Sequence, residues 1–312
     1  MPRRNQPPER AVAAMDKPPI RRAMHVGVRA RIWHSAWSHP EMKLACMIFA
    51  ALVLMVLLCP WLTDASATRM NVDQRFLPPA FMEGGSSRHW LGTDQLGRDL
   101  LLRSLLGLRN AFAIAVVSVL GMFALGCAVG IFSGYRGGWV DVALMRLTDV
   151  QMSIPVVILA ITILGMSRPT AGSIIVVLIL SSWPVYARVA RGVTLAERQK
   201  EYVRAARILG ASDLRIMLRH IAPGVLPSMA FVAVLDVARM MIFEAIFGFI
   251  GIGMQPPTPT FGSIISSGTQ YLLNAWWITI VPGIFLTLSL GSLNLMGGVW
   301  ERARNRVLQG VE

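Results

Sequence analysis

The sequence predicts an all-α, polytopic membrane protein with six transmembrane helices, and three observations carry that prediction. Hydrophobic residues make up 54% of the 312 and charged residues only 15%, a balance found in membrane proteins rather than in soluble domains. Six apolar runs, near 44–62, 109–134, 142–165, 171–190, 225–252 and 276–298, have about the length that a helix needs to cross a bilayer core. Lysine and arginine collect in alternate segments between those runs, as the positive-inside rule requires of cytoplasmic loops.

The chain is divided accordingly. Residues 1–40 begin MPRRNQPPER and continue with arginines and prolines but no apolar period, which predicts a mostly disordered, basic cytoplasmic arm. The run from Leu44 to Leu62 defines a first transmembrane helix over 41–64, too far from the start for an ordinary cleaved signal peptide. Residues 65–107 balance Arg69, Arg75, Arg88, Arg98 and Arg103 against Asp73, Glu83, Asp94 and Asp99, the composition of a folded external loop. A core of five further helices follows over 108–300, with Pro155 predicted to kink its helix. A short tail, 301–312, ends the chain.

Orientation follows from charge. With the N-terminus inside, nine basic residues precede position 44, seven lie between Arg191 and Arg219, and Arg302, Arg304 and Arg306 close the chain on the same side. The segment 253–275 on the far side has no charged residue. Both termini are therefore expected in the cytoplasm.

Several function classes are disfavoured. The net charge of +13 suggests nucleic acid at first, but its distribution reads as membrane topology, so no nucleic-acid partner is expected. Cys46, Cys59 and Cys127 lie inside apolar runs, where a thiol acts as a small hydrophobe, and the five histidines lack partners at ligand spacing. No metal site is expected. The glycine-rich break Gly134–Gly138 lacks the lysine and hydroxyl residue of a phosphate-binding loop, so this chain is not expected to bind ATP. No catalytic residues are found, since neither a metalloprotease helix nor a serine flanked for nucleophilic work is present.

The segment 198–227 stands apart as a basic amphipathic helix-turn-helix between two apolar runs. Tyr202, Ala205, Ala206 and Leu209 recur at helical spacing, while Lys200, Glu201, Arg204 and Arg207 fall largely on another face. Gly210 suits the left-handed turn that closes a helix, and Ser212 with Asp213 suit the cap of the next. In that second helix Leu214, Met217, Leu218 and Ile221 form the apolar stripe, which is expected to stop near Pro223. Two readings fit: a positive-inside loop that snorkels at the membrane surface, or a docking element for a partner outside the bilayer.

Ionisable residues inside apolar runs are costly in lipid and need a partner or a wet cavity. Asp236 and Arg239 stand three apart on one helical face, with Glu244 farther along the same segment. They read either as an ion pair with a polar packing contact, or as the wall of a translocation pathway. Arg188 and Arg191, near the end of a span, are expected to snorkel. Gly92 to Asp99 reads as a glycine-punctuated turn whose Thr93 or Asp94 caps a helix.

The residue order resembles a known family. Tyr202-Val203-x-Ala205-Ala206-x-x-x-Gly210-Ala211-Ser212, with Ile221-x-Pro223 and Leu226-Pro227 after it, resembles the cytoplasmic E-A-A loop of ATP-binding-cassette importer permeases. The run from His89 to Asp99, Gly134-Tyr135-Arg136-Gly137-Gly138 with Asp141, and Gln255-Pro256-Pro257-Thr258-Pro259 are similar to signatures of the dipeptide and oligopeptide permeases, specifically of their C-type subunit. That resemblance implies an importer-permease fold with a cytoplasmic coupling helix that fits a cleft on an ATPase. The ATPase-coupling residues implied are Glu201, Tyr202, Arg204, Ala205, Ala206, Leu209, Gly210, Ala211 and Ser212. Arg204 departs from the pattern, because the family has glutamate there.

The resemblance further implies a second homologous permease subunit, two cytoplasmic ATPase subunits that bind the ATP and Mg, an extracytoplasmic solute-binding protein, and a lipid surround in a bacterial inner membrane. Peptides, nickel complexes and other small solutes are the expected cargo. The alternative is an ion-coupled secondary transporter or channel, with Asp236, Arg239 and Glu244 carrying the coupling.

Overall fold

A computed structural model describes residues 28–62, 67–166 and 169–309, and the described chain is helical apart from its loops. In order, α1 spans Val28–Ser38, α2 Pro40–Leu62, α3 Leu100–Arg136, α4 Gly138–Ser153, α5 Val156–Leu164 and α6 Ala171–Glu197. There follow α7 Glu201–Ile208, α8 Asp213–Ile216, α9 Ala222–Phe249, α10 Phe261–Gly268 and α11 Trp277–Gln309. Among the described residues, α2, α3, α6 and α11 are long and apolar enough to cross a membrane, and α4 with α5 makes a fifth if the pair is one broken span. The remaining apolar run corresponds to the 28-residue α9.

The break between α4 and α5 bends by 82°. Ile154 is extended at φ −91° and ψ 118°, because the ring of the following Pro155 disfavours helical backbone in the residue before it. The expected kink is thus a full break.

At the centre, α3 packs along α6 more extensively than any other pair of helices. The reason is a stripe of small residues. A Cβ placed on Gly126 would come within 2.4 Å of the Tyr186 Cβ, and one on Gly130 within 2.4 Å of the Ala187 carbonyl oxygen, so only glycine allows the two backbones this approach. With 37 residues at about 1.5 Å each, α3 is about 55 Å long and projects beyond a hydrocarbon core of about 30 Å. Its two ends organise the two faces of the bundle.

At the N-terminal end of α3, residues 71–99 fold against the helix start. Asp99 caps α3 by accepting the Leu102 N–H at 2.9 Å, and its other oxygen meets His89 Nδ1 at 2.8 Å. Asp94 accepts from Leu96 N and Arg98 N and pairs with the Arg98 guanidinium at 2.7 Å. The helix cap is therefore Asp99, while Asp94 closes the turn before it. Gly97, at φ +71°, lies so close to Asn71 that a Cβ would sit 1.8 Å from its carbonyl oxygen. Trp277 at the start of α11 donates to the Thr93 carbonyl at 3.2 Å, and Asn110 of α3 donates to that of Pro259 at 3.0 Å. One face of the bundle is sealed by these contacts.

Several expected boundaries shift. Residues 100–107 of the expected external loop belong to α3, and the expected C-terminal tail continues α11 to Gln309. In the expected disordered arm, Val28–Ser38 is helical; residues 1–27 lie outside the described residues. Ala36 of α1 and Met42 of α2 bury against Val299 and Ala303 of α11, forming a satellite cluster apart from the main core. A spacing of four between Ile32 and Ala36 turns one stripe of α1 to that contact.

Candidate functional site

The other face of the bundle gathers the end of α3, the end of α6 and the start of α9, with α7 and α8 between them. Where α6 stops, Glu197 accepts from Lys200 Nζ at 2.6 Å and from the Tyr202 hydroxyl. Its carboxyl group also lies on the backbone of α9, since a Cβ on Gly224 would come within 2.9 Å of Glu197 Oε1. The hydrogen bond to that carboxylate, with burial behind it, pushes the Tyr202 phenol up to about 12. The next residue, Arg198, donates to the carbonyls of Gly134 and Tyr135 at 3.2 and 2.9 Å, satisfying the free end of α3. Two consecutive side chains thus tie three helices together.

From that anchor α7 runs for eight residues with Glu201 in its first turn, where an acid suits the helix dipole. Gly210 sits at φ +80°, and the closing bonds are those of a Schellman turn: Ala211 N to Ala206 O and Gly210 N to Arg207 O, each 3.1 Å. This part of the helix-turn-helix matches its sequence. Ser212 occupies the cap position of α8 without a side-chain cap bond, and Asp213 turns instead to the Tyr135 hydroxyl, which donates at 2.7 Å. Arg207 lies over the Tyr135 ring at 5.6 Å and donates to its hydroxyl at 3.3 Å. The buried Tyr135 is therefore the socket that holds α7 and α8.

These anchors rotate the inward face away from part of the stripe that spacing suggests: Ala206 and Ile221 of that stripe are buried and Met217 is half-buried, but the rest is exposed. Val203 and Ala206 are buried, whereas Ala205 is exposed, Tyr202 is 45% exposed and Leu209 is 86% exposed. In the second helix Ile216 and Ile221 are buried, and Leu214 and Leu218 point outward at 63% and 64%. A short helix carries two apolar stripes, and the grip of Tyr135 on Arg207 and of Glu197 on Tyr202 selects which one packs inward. The outcome is that Ile208, Leu209, Leu214 and Leu218 are left exposed on α7, α8 and the turns beside them, as are Arg204, Arg215 and Arg219.

Nor does the second helix end near Pro223. It continues through a π-helical turn, Met217–Ile221, into α9 as one rod. A wider i→i+5 turn just ahead of Pro223 accommodates the ring and the missing N–H, so the proline shapes the helix without stopping it. The exposed side chains of α8 therefore stand on the same continuous helix as α9.

On α9, Asp236 and Arg239 form an ion pair at 3.1 Å. Glu244 is fully buried, and neither of its carboxyl oxygens has a hydrogen-bond partner. Arg188 and Arg191, expected to snorkel, are also paired: Arg188 meets Asp149 at 2.5 Å, and Arg191 clamps Asp141 with two bonds of 2.5 and 2.6 Å. Both pairs join α6 to α4, which is why a carboxylate belongs after the glycine turn. Spacing arguments overlook Glu197 and Arg198, because their partners lie on other helices. The one signal available is that an acid and a base directly follow a membrane span.

Comparison with known proteins bears on this arrangement. Residues 126–305 match the model of the family described as binding-protein-dependent transport system inner membrane component. Over 266 residues the chain is 32% identical to the di/tripeptide transport system permease protein DppC of Pseudomonas aeruginosa, covering 85% of this chain and 88% of that one. It is 33% identical over 255 residues to the probable D,D-dipeptide transport system permease protein DdpC of Escherichia coli, covering 81% and 83%. Among solved structures, an inward-facing form of the MetNI methionine ABC transporter superposes with a TM-score of 0.50 at 20% identity, covering 68% of this chain and 96% of that one. The last comparison supports the fold.

Proposed function

Because this chain belongs to the family of binding-protein-dependent transport system inner membrane components, we propose that its α7–α8 surface docks a cytoplasmic ATPase and drives alternating access for peptides or similar small solutes. The chain is an importer permease subunit, a multi-pass protein of the inner membrane, and the family is a permease component rather than a catalyst. The observation that carries the docking reading is the exposure of Ile208, Leu209, Leu214 and Leu218 on an element held by Tyr135 and Glu197 and continuous with α9. Exposed apolar side chains among charged ones mark sites of contact with protein or membrane.

In this reading both termini and α7 face the cytoplasm, and two ATPase subunits bind the ATP and Mg. A second homologous permease subunit completes the pathway, and an extracytoplasmic binding protein delivers the solute. Closure of the ATPases pulls on α7 and α8. The rod formed by α8 and α9 then swings, and Asp236, Arg239 and Glu244 on α9 belong to the polar wall whose exposure changes. Relatives named for di- and tripeptide transport support peptides as the cargo.

Tagged chain, co-expressed with its neighbouring gene products and solubilised mildly, is expected to bring down an ATPase. Leu209→Asp is expected to release that ATPase while the membrane level of the chain holds. Purification with no ATPase attached overturns the proposal, and failure of a deletion strain to lose peptide uptake overturns the cargo.

A further inference from the structure

A cavity of about 840 Å³ separates the main core from the satellite cluster of α1, α2 and α11. Trp33 and Trp37 of α1, Cys46 of α2, Phe123 of α3, Ala230 of α9 and Trp300 of α11 contribute to its walls. Among the described lining residues, Arg304 is the only charged one.

A groove with such walls is not left to bulk water, because covering apolar surface is favourable. Nor is it a home for ordered water, which needs two to four polar partners. Its occupant is therefore largely apolar. The cavity is also open, since Trp33 and Trp37 at its edge are 55% and 38% exposed, and it lies at the end of the bundle where α11 carries Arg302, Arg304 and Arg306. Trp33 stands 5.7 Å from both Trp37 and Trp300, a cluster of the kind that marks the membrane–water boundary. Apolar walls, tryptophans with exposed faces and one guanidinium in the lining together match one class of molecule, since basic pockets between membrane helices hold anionic lipid head groups.

We propose that this cavity binds one acyl chain of an anionic phospholipid from the surrounding bilayer, with the lipid phosphate drawn to Arg304. Among the described residues, α1 packs on α2 and α11, which in turn pack on α3 and α9, so the lipid acts as filler in the gap these helices frame. The inference rests on the membrane location of the chain and is independent of how an ATPase docks.

The test uses the assembled transporter reconstituted into phosphatidylethanolamine vesicles containing traces of phosphatidylglycerol with a photoactivatable acyl chain, and cross-links are mapped by mass spectrometry. Labelling is expected on α1, α2 and α11 around Cys46 and Trp300, at lipid fractions too low to label exposed Leu120 of α3. Ala230→Phe, which fills the cavity, is expected to reduce that labelling to the Leu120 level. Arg304→Gln leaves the cavity open and is expected to lower the preference for phosphatidylglycerol over a matched phosphatidylethanolamine probe about fivefold. Size-exclusion chromatography confirms that both variants remain assembled. Undiminished labelling of an assembled Ala230→Phe protein, an unchanged preference in Arg304→Gln, or cross-links from this cavity to another protein subunit in place of lipid would each overturn the proposal.

Discussion

The Tyr135 hydroxyl donates to the Asp213 carboxylate across 2.7 Å, joining the end of α3 to the start of α8 across 78 positions of sequence. This bond fixes the start of α8 against α3, the longest helix among the described residues. Arg207 on the Tyr135 ring adds α7 to the same joint.

Tyr135→Phe removes the hydroxyl and keeps the ring. Loss of such a bond costs about 1 kcal/mol, too little to unfold the bundle but enough to loosen one surface element. The variant is expected to reach the membrane at normal levels, with faster amide exchange over 201–221 and reduced solute uptake. Unchanged exchange there shows that the bond is incidental.

Gly210 has nothing within 4 Å of where its Cβ would stand, so the restraint on this position is its φ of +80° alone. Gly210→Val is expected to strain the Schellman turn by about 1–2 kcal/mol and to depress uptake, whereas Gly210→Asn, which tolerates left-handed backbone, is expected to retain most of it. Equal uptake by the two variants argues against a turn of fixed geometry.

Arg204 is exposed, and it departs from the acid that the resemblance to importer permeases implies at this position. Arg204→Glu is expected to leave the permease folded and to change how much of the native ATPase co-purifies, with an effect that weakens as salt is raised. If assembly and uptake are the same at low and high salt, position 204 lies outside the contact.

Gly130→Leu places a side chain where the Ala187 carbonyl already lies within 2.4 Å of a bare Cβ. Separation of α3 from α6 is expected, with a marked fall in the membrane level of the protein; Gly192→Ala, where space is open, serves as the tolerated control. Normal accumulation of Gly130→Leu excludes the glycine stripe as the reason for close packing.

Much of this was legible in the residues. Apolar runs and arginine spacing outline a polytopic helical membrane protein, and Gly210 declares its turn through the backbone freedom that glycine alone has. The outward face of α7 and α8 was only partly legible. In an eight-residue helix the expected stripe holds for Ala206, but Val203 takes the inside in place of Tyr202, Ala205 and Leu209, because periodicity has too few turns to choose between them. Glu197, Arg198 and Tyr135 chose, and each acts on residues from another helix.

Composition, period and residue order are local properties, and they suffice for the fold class, the place of the basic helix-turn-helix and the kinship with importer permeases. Only the tertiary structure decided which side chains of that element face outward, that α8 and α9 form one rod through a π turn at Pro223, and that Arg188 and Arg191 pair with Asp149 and Asp141. These outcomes depend on contacts between helices, where the energy of burying an apolar side chain or pairing a charge is settled by what stands opposite.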